Sequence, residues 1–397
     1  MLTFATLSTL MGLAMGLAKV ATSLYAIALG SSETMLGLIA AAQSVGILIM
    51  SLPLGMLVER FGPHRLFNLG TCAAGVMYAL VPLWQSPWFL LLCTAAVGFC
   101  LPFRWVALNT VFLGRLLTLG QNKAGWFRGT NVAGMFLVGP LVAAAAIEQL
   151  GYAGTFLVIA ITVLACLPLS PAVLSRPKLE GGASVPPPTA ALNLSELRAR
   201  LAAGWQDAEL RTACSVELAS QAINAYYTYF IVAVALTELG SSQAEAAGLV
   251  AAQGLSFVVA LFALGGLTAR LGFVRGALIS AGITVLALLC LGFADRLWLM
   301  QLGGLLLGLG LGLLQVANLV RFARVGVRLG HGQAASMNAL AGPLGGFLGS
   351  LLGGFLGQHL GLQTMFLAFV PLALLSGVVA TGLSWPRALD AVYGDGE

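Results

Sequence analysis

The chain has 397 residues, 59% of them hydrophobic and only 8% charged, with a mean hydropathy of +0.96. Soluble domains carry roughly a quarter charged residues, so a water-facing surface is excluded and the solvent must be lipid. The net charge of +5 is therefore no nucleic-acid signal; what matters is where along the chain it falls.

Runs of about 20 apolar residues cross a bilayer as helices. They are predicted near 4–29, 35–58, 66–85, 88–113, 127–148 and 152–172, and again near 211–237, 244–268, 274–293, 297–320, 333–357 and 362–384. The first run starts at Leu2 without a basic leader and is long enough to span, so it is read as a retained helix. Between the two sets, Pro186-Pro187-Pro188 breaks any continuous helix. Beyond it Asn193 caps a short amphipathic helix, with Glu196 three residues on and Leu194, Leu197, Leu201 and Trp205 sharing a face. The expected fold is an all-α membrane protein of about 12 transmembrane helices in two six-helix bundles. Residues 1–172 form the first bundle, 173–210 a cytoplasmic linker, 211–384 the second bundle and 385–397 a cytoplasmic tail.

Basic residues orient these bundles. Arg60, Arg65, Arg115, Lys123 and Arg128 fall in alternate connections of the first half, and Arg270, Arg275, Arg321, Arg324 and Arg328 in those of the second. Only Arg296 lies in an opposite connection. The positive-inside rule then puts both termini and the linker in the cytoplasm, for a protein of the cell (inner) membrane. The halves also repeat each other. At an offset of 210, Leu29-Gly30-Ser31-Ser32 falls on Leu239-Gly240-Ser241-Ser242, Ala41-Ala42-Gln43 on Ala251-Ala252-Gln253, and Leu150-Gly151 on Leu360-Gly361. Two equal halves in an apolar chain point to a transporter with its site between them. Gly345, Gly349, Gly353 and Gly357, recurring every fourth residue, mark close helix packing.

Three ionisable side chains fall inside the predicted spans: Lys19, Arg104 and Glu217. A basic group at mid-membrane costs about 2.5–3.5 kcal/mol on insertion scales, so such groups face a bundle interior or an aqueous cavity. Lys19 lies about 15 Å from the outer end of its helix at about 1.5 Å per residue, too far for easy snorkelling. One reading is structural pairing, for example of Lys19 with Glu217. The other is an electropositive cavity in which Lys19 and Arg104 attract an anionic substrate. Glu217 is then the candidate carrier of a coupling proton, because burial and neighbouring charge set a carboxyl's protonation. Its position near the cytoplasmic end suits a loop-facing salt bridge equally. Asn109, Gln221, Asn224, Tyr227, Gln315 and Asn318 are polar candidates to line the same passage, and each also suits hydrogen bonding between helices.

The six cysteines stand apart in apolar runs, and the three histidines lie near helix ends. Met11 and Met15 share a helix face that suits core packing better than a soft metal. No nucleophile elbow, phosphate loop or HExxH is present. Neither a metal, a cofactor, nucleic acid nor an enzymatic reaction is expected.

Gly55-Met56-Leu57-Val58-Glu59-Arg60-Phe61-Gly62-Pro63-His64-Arg65 resembles the loop signature of the major facilitator superfamily. The second half repeats it from Gly265 through Leu267, Arg270 and Gly272 to Arg275. With the six-plus-six layout, the resemblance covers essentially the whole chain. It implies two bundles rocking about a midplane cavity, with Gly55, Glu59, Arg60, Gly62 and Arg65 latching the outward-facing state and Gly265, Arg270, Gly272 and Arg275 as their second copy. Glu59 replaces the usual Asp, Pro63 sits where a basic residue is common, and Ala269 leaves the second copy without its acid. The latch is therefore expected in one half only.

Gly129, Gly134, Gly139 and Pro140 are similar to the glycine-proline signature of the family's proton-coupled antiporters, with Ala143 and Ala144 in place of the trailing glycines. Gly342-Pro343 looks like a counterpart. Arg104, within Leu101-Pro102-Phe103-Arg104-Trp105, lies near where many members carry a membrane arginine linked to proton coupling. The expected function is proton-coupled export, by alternating access, of a small organic solute, anionic or amphipathic. The alternatives are uptake of an organic anion or metal chelate, and a membrane sensor or assembly factor without transport. The expected partners are that solute, protons and the lipid bilayer, for a protein acting as a monomer.

Overall fold

The computed structural model describes residues 2–119, 130–174, 205–263, 273–329 and 331–382, and every regular element among them is a helix. The chain divides into two compact units, Met1–Leu197 and Arg198–Glu397. The linker helix expected from Asn193 lies outside the described residues, except for Trp205, which is exposed.

The first unit holds α1 (Leu2–Ala28), α2 (Glu33–Phe61), α3 (Pro63–Leu80), α4 (Pro87–Leu119), α5 (Gly139–Leu164) and α6 (Ser170–Leu174). Ser32 caps α2 by accepting the Met35 N–H at 3.2 Å. Gly62, at φ 81°, ends α2 and donates its N–H to the Val58 carbonyl at 2.9 Å. Pro63 then opens α3. The first helical position needs no N–H and its φ suits the proline ring, so Pro63 makes the corner where a basic residue is common. Inside α5, Gly151 (φ 66°, ψ −177°) breaks the rod. That conformation is essentially restricted to glycine, and it separates the spans predicted at 127–148 and 152–172.

A π turn, Gly134–Val138, leads into α5. Pro140 has no N–H, so it cannot bond the Phe136 carbonyl four residues back, and its ring presses on that carbonyl. The backbone widens in response, and the Gly139 N–H reaches Gly134, five residues back.

The second unit holds α7 (Ala208–Thr237), α8 (Gln243–Ala263), α9 (Phe273–Gly292), α10 (Leu297–Leu329), α11 (His331–Leu360), α12 (Met365–Ala368) and α13 (Val370–Gly382). Asp207 caps α7, with one carboxylate oxygen accepting the N–H groups of Glu209 and Leu210 at 3.0 and 2.9 Å. Its other oxygen pairs with Arg328 at the end of α10, at 2.7 Å.

The 210-residue offset reappears in the backbone. Gly30 and Gly240 have φ 69° and 60°, and Gly151 and Gly361 have φ 66° and 86°. Helix partners repeat as well. In the first unit α1 packs on α5, α2 on α4, and α3 on both α4 and α5; in the second α7 packs on α11, α8 on α10, and α9 on both α10 and α13. Gly98 of α4 lies against the Gln43 carbonyl of α2, and 210 residues on, Gly308 of α10 lies against the Gln253 carbonyl of α8. Gly139 lies against Gly16 and Leu17 of α1, and its counterpart Gly349 against Ala222 of α7. A Cβ at any of these glycines would intrude on neighbouring backbone, so small residues set how closely the helices approach. Gly345 and Gly353, resting on Leu218 and the Tyr226 ring, continue that stripe on α11.

Among the described residues nine helices are long and apolar enough to cross a membrane. One of these stretches, Thr130–Leu164, contains the Gly151 break and so holds two predicted spans. Met365–Ala380 is a shorter apolar helix. Helix α7 is not among the nine: it carries Glu209, Arg211, Glu217, Gln221 and Asn224. Enclosure makes this tolerable, since 20 of its 30 residues are buried. Its counterpart by the offset, α1, is the most enclosed of the nine, at 72% buried.

Candidate functional site

Glu217, Gln221 and Asn224 recur at i, i+4 and i+7 of α7, which aligns them on one face. Glu217 is 4% exposed. One of its oxygens accepts from Gln221 Nε2 at 3.0 Å and the other from Asn318 Nδ2 of α10, also at 3.0 Å. Asn318 Nδ2 donates in addition to the Ala213 carbonyl at 3.1 Å, while its Oδ1 is buried without a hydrogen-bond partner among the described residues. Gly342 of α11 stands over this group: a Cβ there would lie 3.8 Å from Gln221 Cγ and 3.9 Å from Glu217 Oε1. The described salt bridges join Arg328 to Asp207 and Glu209, so amides alone hold the Glu217 carboxyl among the described residues.

The polar line continues along α7. Asn224 accepts from Gln253 Nε2 of α8 at 3.0 Å, and Gln253 is fully buried with its Oε1 unpartnered among the described residues. Gln315 is half-buried one turn before Asn318 on α10. Tyr227 has a different occupation. It is fully buried and donates its hydroxyl to the Leu249 carbonyl of α8 at 2.8 Å, which fastens α7 to α8.

In the first unit Arg104 is 2% exposed on α4. Its Nη2 donates to the Cys166 thiol sulfur at 3.3 Å, and the guanidinium lies 5.9 Å from the centre of the Phe67 ring. Its Nε is buried with no hydrogen-bond partner among the described residues. Sulfur is a weak acceptor, and the ring supplies only a cation–π attraction. Met11, Met15, Tyr78, Leu101 and Trp105 join Arg104 around a narrow recess. Met11, Met15 and Lys19 follow at four-residue spacing, so the face of α1 that lines the recess leads to Lys19. Lys19 is half-buried, with Nζ 5.8 Å from the centre of the Phe136 ring. Phe136 belongs to the π turn that Pro140 imposes.

The remaining candidates are the gating residues and Asn109. Gly62 makes the α2–α3 corner, Arg65 and Arg275 are exposed, and Gly139 and Pro140 are buried at the start of α5. The structure describes only the helical backbone at Gly55, Glu59, Arg60 and Asn109, while Gly265, Arg270 and Gly272 lie outside the described residues. Sequence reasoning did not single out Cys166, Phe67 and Tyr78 beside Arg104, or Phe136 beside Lys19. Their separation along the chain leaves no spacing signal.

A doubled helical scaffold that keeps charged and amide groups inside lipid-spanning helices is the build of a transporter. The profile of the Major Facilitator Superfamily matches residues 3–216 and 212–392, and the chain belongs to that superfamily. The crystal structure of the nucleoside transporter NupG is similar at a TM-score of 0.79 and 13% identity, covering 96% of this chain and 98% of that one. A bacterial homolog to the human lysosomal transporter Spinster, inward-facing and occupied, is similar at a TM-score of 0.73 and 12% identity, covering 96% of each chain. At such identities the likeness shows the fold. A search among curated proteins gives no match. The chain is thus a multi-pass membrane transporter of the alternating-access kind that binds a small molecule within the membrane, and it is not an enzyme.

Proposed function

We propose that the protein exports a small organic solute, anionic or amphipathic, in exchange for protons, with Glu217 as the proton-carrying group. The amide cage around Glu217 is the observation that carries this reading. A carboxyl inside a spanning helix is costly when charged and is commonly functional. Its oxygens are held by Gln221 and Asn318 rather than by a cation among the described residues. Amides accommodate both protonation states: N–H groups serve the carboxylate, and a turned amide offers its oxygen to the O–H of the acid. The export direction rests on the resemblance around Gly139-Pro140. Lys19 and Arg104 supply attraction for an anion, and the polar line of α7 extends toward Gln315 and Asn224.

Orientation has separate support. Helix α3 starts beside exposed Arg65 and ends near Trp84; α9 starts beside exposed Arg275 and ends near Trp298. Trp84, Trp88 and Trp298 are 69%, 68% and 58% exposed, and Trp88 and Trp298 are related by the offset. Tryptophans gather at membrane interfaces and arginines on the cytoplasmic side. These positions support cytoplasmic termini; location in the inner membrane and action as a single chain are part of the same proposal.

The test is solute flux in proteoliposomes under an imposed pH gradient. Glu217→Gln keeps the size of the side chain, with its NH2 met by a turned Gln221 amide, but cannot carry a proton. It is expected to lower proton-driven flux at least tenfold while passive exchange persists. Equal proton-driven flux in the variant would remove Glu217 from coupling. A second reading, uptake of an organic anion, is favoured by the buried Arg104. The direction of flux under the same gradient separates the two.

A further inference from the structure

We infer that the recess beside Arg104 is a binding site for one monatomic anion, chloride. The inference goes beyond the transport reading above: the ion is a resident of the first unit and not the exported solute. Arg104 is a guanidinium, charged at any physiological pH. It is 2% exposed, yet its described partners are a thiol sulfur and an aromatic ring, and its Nε has no hydrogen-bond partner among the described residues. Neither partner offsets a buried positive charge. The sequence of the first unit places no carboxylate beside it either. Its acids are Glu33, Glu59, Glu148, Glu180 and Glu196, and none falls inside a predicted span except Glu148, the last residue of its own. Glu59 is on α2, which packs on α4 and runs the same way. The two helices meet where Gly98 lies against Gln43. Counted from there, the backbone of Glu59 stands roughly 15 Å further along the bundle than that of Arg104, at about 1.5 Å per residue.

Size selects the ion. The recess has room for about one water molecule. A single halide fits such a space; a carboxylate, a phosphate or a lipid headgroup, each with several heavy atoms, does not. Water fits too, but it brings no charge to set against the guanidinium, and chloride is the abundant halide. Tyr78 and Trp105 also line the recess. Their hydroxyl and indole N–H are donors with no hydrogen-bond partner among the described residues, and a halide accepts from several donors at once. Met11, Met15 and Leu101 make the other walls apolar, and low polarity strengthens the attraction between the ion and Arg104. Depth suits a free ion as well. Arg104 is four residues from the end of the apolar span Pro87–Leu108, about 6 Å of helix at about 1.5 Å per residue, so the path from water is short. In chloride-free medium Lys19 and Arg104 both attract a solute anion; with chloride in place that attraction falls to Lys19.

The probe is sodium chloride, exchanged for sodium gluconate at constant ionic strength, with the purified full chain in detergent. Thermal unfolding is the readout, and tryptophan fluorescence, to which Trp105 on the recess wall contributes, is the second. An ion that binds the native state raises the unfolding temperature as its concentration rises. Chloride is expected to do so saturably, with a fluorescence change of the same half-saturation. Arg104→Gln should weaken both effects at least tenfold. Where that variant does not fold, Val163→Ile adds one methyl to the recess wall, about the space of the ion, with the guanidinium intact. It should likewise weaken chloride at least tenfold. An unfolding temperature that is the same in chloride and gluconate, a rise that does not saturate, or an equal half-saturation in the folded variants would overturn the inference. The assay needs neither solute nor proton gradient, so its failure is distinct from failure of coupling at Glu217.

Discussion

Asn318 and Gln221 hold the same carboxyl but are not equivalent. Asn318 also donates to the Ala213 carbonyl, whereas Gln221 has Glu217 as its one described partner. On the proposed reading of Glu217 as proton carrier, Gln221 is therefore the amide free to turn. Asn318→Leu is expected to destabilise the protein by about 1–3 kcal/mol, because it strips a buried oxygen and a buried carbonyl of a donor. Gln221→Leu, at a half-buried position, should cost less, and thermal unfolding of the two variants in detergent checks the order. Glu217, Gln221 and Asn224 each stood out in the sequence as polar residues of an apolar run, and their alignment on one helix face came with the structure. Asn318 stood out only as a polar residue in an apolar run, because a contact 101 residues away follows from packing alone. The same limit hid Cys166, which looked like a small packing residue until the turn after α5 brought it to Arg104. It also left Tyr227 open as a ligand contact, although the carbonyl of Leu249 takes its hydroxyl.

Helix crossings in both units are set by glycine meeting carbonyl. Gly98→Ala and Gly308→Ala each add a methyl where the Gln43 and Gln253 carbonyls already sit, and each is expected to cost about 1–3 kcal/mol by overpacking. Gly248, on α8, faces open space. Gly248→Ala should be neutral or stabilising by up to about 1 kcal/mol through the loss of unfolded-chain freedom. Unfolding temperatures of the three variants test the contrast. Gly151→Ala belongs to a different class, since the cost there is conformational, about 1–3 kcal/mol, with no clash involved. The sequence offered glycines and a proline at Gly139-Pro140, yet not the π turn that answers the missing N–H of Pro140, nor the approach of Phe136 to Lys19 that goes with it.

Duplication was the clearest message of the sequence, and the paired positive-φ glycines and paired glycine crossings carry it into the backbone. The twelve spans were legible because lipid imposes length and apolarity together. Helix α7 was legible despite its charges because its apolar residues still continue around them. The one-sided latch remains a proposal of the motif. Glu59→Gln is expected to shift the balance of inward- and outward-facing states, read by cysteine accessibility; unchanged accessibility would remove Glu59 from gating. The cage around Glu217 reaches further than chemistry at one site. With amides for neighbours, that carboxyl has no counterion among the described residues, and each proton bound alters the electrical load of its unit by one. A cycle that turns on this step feels the transmembrane voltage, about 2.3 kcal/mol per elementary charge for every 100 mV, and the valence of the solute then decides whether voltage aids or opposes its passage.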